Sequence, residues 1–109
     1  MSAPHESIAR SLYEETAIEE GFSILKFNNE ESEAQHVQRE VDSTYIQFHF
    51  CAKGSAVFNF NTGNYTLPLQ EENSLLLYNP QRDLPMNVEV NAGSWIISIL
   101  ISICITLLF

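Results

Sequence analysis

Positive charge is scarce in this sequence. Five Lys and Arg stand against 14 Asp and Glu, for a net charge of −9 at pH 7. A surface that acidic repels phosphate backbones, so the chain is not expected to bind nucleic acid by itself. The scarcity is sharpest toward the C-terminus. No Lys or Arg follows Arg82, no Asp or Glu follows Glu89, and the 16 residues from Ser94 to Phe109 carry no charge at all. Cysteine is nearly absent too. Cys51 and Cys104 both lie in apolar, strand-like surroundings and read as buried free thiols, although one disulfide is open to them. Neither has a Cys or His at metal-ligand spacing. The opening MSAPHESIARSLYEE lacks a basic n-region and an apolar h-region, which argues against secretion and for the cytoplasm. No Gly-rich phosphate loop, nucleophile elbow or Cys-based motif occurs, and with them go the common enzyme signatures.

What is present is alternation. After a polar, acid-rich segment over residues 1–20, compatible with a short helix near Ile8 to Glu15 or with extended chain, GFSILKF reads as a first strand. A weak strand follows near Val37 to Val41. TYIQFHFCA then sets Ile46, Phe48 and Phe50 against Tyr45, Gln47 and His49. Lys53-Gly54-Ser55 turns the chain into AVFNFN, and Thr62-Gly63-Asn64 turns it again into NYTLPL. SLLLY is an apolar run short enough for a strand buried on both faces, and MNVEV alternates once more. Strands separated by turn residues every 8 to 12 positions predict an all-β sandwich or barrel of about eight strands.

The uncharged tail SWIISILISICITLLF admits two readings. Ser94, Ser98, Ser102 and Thr106 would line one stripe of a helix, as in membrane helix pairs. As a strand, Trp95, Ile97, Ile99, Ile101, Ile103 and Ile105 would share one face. A spanning helix needs about 20 apolar residues with basic flanks. This run is shorter and has none, and its isoleucines suit a pleated strand. The strand is therefore expected over residues 94–103. Its odd-numbered face is expected to be buried, and the polar segment 1–20, the barrel 21–103 and the apolar extension 104–109 follow as the chain's divisions.

FHFCAKGSAVFNF (Phe48 to Phe60), GNYTLPL (Gly63 to Leu69), ENSLLLYNPQRDLP (Glu72 to Pro85) and SWIISILIS (Ser94 to Ser102) together resemble the N-terminal cupin-like domain of AraC-type transcriptional regulators, flavobacterial members above all. Gly54 matches the glycine closing the first cupin motif. Leu75 to Leu77 and Pro80 match the second, with Asn73-Ser74 in place of Gly-Asp. The resemblance implies a small double-stranded β-helix that binds a small effector, dimerises, or both. The helix-turn-helix DNA-binding domain of that family is absent from the sequence.

The same resemblance places the metal ligands of metal-binding cupins near Gln47, near Val41 and Ser43 or Glu40 and Asp42, and near Pro85. No ligand set stands there, so no metal and no cofactor are expected, nor an enzyme. Tyr45, Gln47 and His49 are candidate ligand-binding residues if their face lines the barrel, and a solvated face otherwise. Asn59 carries the same ambiguity. Trp95 is a core or interface anchor first and a ligand contact second. Ile105, Leu107, Leu108 and Phe109 would project past the barrel and, with Trp95, join two copies in a homodimer. The expected function is a regulatory domain. The alternatives are a small cupin enzyme with non-standard metal ligands and a short tail-anchored membrane protein.

Overall fold

A computed structural model describes residues 13–60 and 63–103. Among them are nine strands: β1 (Tyr13–Glu19), β2 (Phe22–Asn28), β3 (Gln35–Val41), β4 (Tyr45–Lys53), β5 (Ser55–Phe60), β6 (Tyr65–Gln70), β7 (Ser74–Leu77), β8 (Leu84–Val90) and β9 (Trp95–Ser102). They form two antiparallel sheets. One runs β1-β2-β9-β4-β7 and the other β3-β8-β5-β6. The all-β architecture expected from the turn spacing is present, with one strand more than expected. The extra strand is β1, drawn from the acid-rich segment. It is held by pairing with β2 rather than by burial, and Glu14 to Glu20 are all exposed.

The two sheets face each other across an apolar core. Leu25 and Phe27 of β2, Val37 and Val41 of β3, Phe58 of β5, Leu69 of β6, Met86, Val88 and Val90 of β8 and Ile96 of β9 are all buried in it. Each occupies alternate positions of its strand, as the two-residue repeat of a pleated sheet requires. Hairpins close the ends. At Gly54 the chain turns from β4 into β5 with φ +78°, and a Cβ there would lie 2.8 Å from the Cα of Ser94. Only glycine combines that conformation with that contact.

Two expectations about facing are corrected. β9 is the strand the tail composition predicts, paired with β2 on one side and β4 on the other. Yet the residues it buries are Ile96 and Ser98, with Ser94 just before it, and Trp95 is 43% exposed. The odd-numbered isoleucines face outward because the even-numbered serines have partners inside. β7 is an edge strand, not one buried on both faces: Leu77 is buried and Leu76 is 62% exposed. The residues Cys104, Ile105, Leu107, Leu108 and Phe109 lie outside the described residues. Among the described residues no helix is long and apolar enough to cross a membrane.

Candidate functional site

The interior of the barrel is not uniformly apolar. β4 turns Gln47 and His49 inward, β9 turns Ser98 inward, and all three are buried. His49 and Ser98 are register partners across the β4–β9 ladder. His49 Nδ1 and Ser98 Oγ are 2.5 Å apart, and His49 Nε2 lies 3.0 Å from Gln47 Oε1. The Gln47 amide nitrogen donates to the carbonyl of Glu40 at 2.7 Å. The Phe58 ring stands 4.7 Å from the imidazole, tilted by 54°.

Burial first, and the positive charge of Arg39 second, together lower the His49 pKa to about 4. The imidazole is therefore neutral at pH 7, with one N–H. Because the Gln47 nitrogen is engaged with Glu40, its oxygen faces the ring and accepts from Nε2–H. Nδ1 then accepts from the Ser98 hydroxyl. The result is a directed chain from Ser98 through His49 and Gln47 to the Glu40 carbonyl. Every link has a partner, and the void beside it, walled by Leu25, Phe58, Met86 and Leu100, is about 10 Å³. That is room for one water at most.

A larger space opens above. A cavity of about 990 Å³ lies at the barrel mouth, walled by Val41, Phe60, Leu67, Leu77, Leu84 and Met86. Tyr65, Tyr78, Asn79, Arg82 and Asp83 line it as well. Met86 borders both spaces, so it separates the mouth from the polar chain. The rim is braced. Asp83 accepts from the Ser43 backbone N–H at 2.7 Å, which holds its carboxyl below the usual range. Asn79 Oδ1 accepts from the Gln81 N–H at 2.9 Å. Apolar walls with a few polar groups around them are the common make-up of a small-molecule site.

The candidates from the sequence thus separate. Gln47 and His49 meet in the interior, and Tyr45 is half-buried at the head of the same strand. Asn59 lies on β5 opposite Asn87 and lines the mouth cavity, not the polar chain. Trp95 is on the outer face, away from both. Ser98 and Arg39 are additions. The serine repeat that held Ser98 carries a helical period as easily as a strand's, and Arg39 sits in a stretch whose strand signal is weak. Among the described residues, no group of three His, Cys, Asp or Glu side chains is placed to hold a metal ion. Gln47, near which the cupin resemblance sets a metal ligand, offers an amide already engaged on both atoms.

No protein-family model matches the sequence, and no curated protein matches it either. Solved structures do. An RmlC-like cupin protein from Desulfovibrio desulfuricans is 14% identical with TM-score 0.63, over 82% of this chain and 79% of that one. A cupin superfamily protein from Desulfitobacterium hafniense is 15% identical with TM-score 0.60, over 84% and 75%. A cupin-2 domain containing protein from Shewanella frigidimarina is 11% identical with TM-score 0.57, over 80% and 76%. Likeness at such identity is likeness of fold. The chain folds as a cupin-like double-stranded β-helix.

Proposed function

We propose that this chain is a regulatory cupin domain of the kind found in AraC-type transcriptional regulators, acting in the cytoplasm. It takes a small effector at the barrel mouth, associates with a second copy, and leaves DNA to another domain. The observation that carries this reading is the division of the barrel into two storeys. Below Met86 the polar groups are fully engaged with one another and leave no room for a substrate. Above it lies an apolar-walled cavity of ligand size. The net charge of −9 supports the exclusion of DNA from this chain's own partners.

The test is a thermal-shift survey of the purified chain against sugars, short carboxylic acids and amphiphilic metabolites, run beside Fe, Mn, Ni and Zn salts. A ligand at ten times its Kd stabilises by about 1.4 kcal/mol, which raises the Tm of a domain this size by several degrees. The expected result is a saturable rise with one organic class, abolished by Leu84→Arg in the mouth, with no consumption of the compound. Turnover dependent on an added metal would make the protein an enzyme and overturn the reading.

A further inference from the structure

The outside of the five-stranded sheet carries large apolar side chains. On β4 and β9 the inward Gln47, His49 and Ser98 are polar, beside the apolar Cys51 and Ile96, while the outward residues are mostly Phe, Ile and Trp, with Lys53 at the end of β4. Register pairs carry this across the sheet: Phe48 stands opposite Ile99, and Ile99 opposite Ile24 on its other side. One step along, Phe50 stands opposite Ile97, and on β7 Leu76 pairs with Phe48. Phe48 is 39% exposed, Phe50 36%, Trp95 43% and Leu76 62%. Shifting β9 by one residue would turn the isoleucines inward, so the observed register selects an apolar exterior. Contiguous apolar faces of this kind mark interaction surfaces.

We infer that this face is closed by a second copy of the chain, sheet against sheet. Charge is the first argument. With a net charge of −9, two copies repel one another over most of their surfaces. β2, β9, β4 and β7 contain no Asp or Glu, and their only charges are Lys26 and Lys53. This is the sheet face on which two such acidic chains can meet. Its edge is of mixed sign, for Glu14 of β1 stands opposite Lys26.

Area is the second argument. The five strands, β1 included, are about 4.8 Å apart and average seven residues, from four in β7 to nine in β4, and at about 3.3 Å per residue they span roughly 550 Å² before side-chain relief is counted. Two copies then cover about 1,100 Å², above the ~1,000 Å² expected of a specific interface. Shape is the third. Face-to-face sheets pack when their twists match, at about −30° between strand directions, and a second copy carries the same twist by identity. The surface lies on the opposite side of the sheet from the mouth cavity's walls. The inference rests on the associating half of the proposed function, and its test is independent of any effector.

The test uses the whole chain in analytical ultracentrifugation together with the emission of Trp95, the chain's single tryptophan. The expected result is a dimer at micromolar concentration whose Trp95 emission shifts to the red on dilution, in step with the loss of mass. Leu76→Glu and Phe48→Glu should each raise the dissociation midpoint by at least about tenfold, with an unchanged β-type circular dichroism spectrum. Tyr65→Glu, 69% exposed on the other sheet, should leave the midpoint where it was. If Phe48→Glu does not fold, Leu76→Glu, at the more exposed position, decides. A chain that is monomeric at all concentrations would overturn the inference. So would a dimer indifferent to Leu76→Glu, one dissociated by Tyr65→Glu, or a monomer that instead partitions onto phosphatidylcholine vesicles.

Discussion

His49 and Ser98 face each other across two central strands and share a hydrogen bond in the interior of the barrel. A neutral imidazole is required there, since it must donate to Gln47 and accept from Ser98 at once. Protonation removes the acceptor and places a second cation near Arg39. With the folded pKa near 4 and the ordinary value at 6.5, the unfolded chain takes up the proton first. The stability due to neutral His49 is therefore complete above about pH 6.5 and is lost as the pH falls toward 4. Over that window the loss amounts to about 3 kcal/mol. Chemical denaturation of the native chain and of His49→Gln at pH 7 and pH 4 checks this. The gap between them should shift against the native chain at the lower pH, and a constant gap would disprove it.

Asn29 should be among the most sensitive positions in the chain. It is 1% exposed, and its amide nitrogen donates to the carbonyls of Glu33, Val90 and Asn91 at 2.9, 2.9 and 3.1 Å. Its oxygen accepts from the Glu31 N–H at 2.9 Å. One side chain thus ties the β2–β3 loop to the end of β8. Asn29→Ala leaves these buried groups without a partner, at a cost of about 2–4 kcal/mol. Asn29→Asp should be worse, since it turns a carboxylate toward three carbonyls. Urea midpoints for the two variants give the order directly.

Gly54→Ala should destabilise by about 3 kcal/mol or more, from a left-handed φ and from contact with Ser94. Ser94→Gly removes the side chain that the new methyl meets, but also the hydroxyl that accepts from the Ser55 N–H at 2.9 Å. The Cα of Ser94 stays in place. The double variant should therefore recover little, and a Tm restored to the native value would show that the backbone contact is unimportant.

Metal should be irrelevant to stability. Treatment with EDTA, or addition of Zn, is expected to leave the unfolding midpoint unchanged, as judged by circular dichroism. The reason lies in Gln47 and His49: both amide atoms of Gln47 and both ring nitrogens of His49 already have protein partners. A chelator-dependent fall in Tm would mean that those bonds open to admit an ion.

Alternation makes β4, β5, β8 and β9 legible in the sequence, and Gly54 marks its hairpin. Facing is the part that does not follow. Period two is the same whichever side is inward, and the usual rule, apolar inside, fails at Gln47 and His49 of β4 and Ser98 of β9. Their polar residues meet one another in the core, and such pairing across 49 positions between His49 and Ser98 leaves no local trace. β1 is invisible for a related reason. Glu14 to Glu19 form no buried stripe, and the segment is a strand because β2 offers it an edge. Asn29 reads as one more loop asparagine, since its importance lies in carbonyls 61 and 62 residues away. The mouth is assembled from strand ends and the β7–β8 loop, so it has no motif. Pro80 and Pro85 signal the loop but not the cavity.

The position of β9 also orders the events of folding. It is the last of the nine described strands in sequence, yet it lies between β2 and β4, so neither has that neighbour until Trp95–Ser102 has emerged. The β4–β5 and β5–β6 hairpins can form early from nearby residues, whereas the five-stranded sheet waits on contacts more than 65 residues apart, such as Phe27 with Ile96. Contacts that distant slow the search for the native state. During the delay the ladder edges of β2 and β4 are open to other chains as well as to β9. A growing polypeptide of this kind depends on its later residues arriving promptly, and a ribosome pause within codons 70 to 95 would prolong its most aggregation-prone interval.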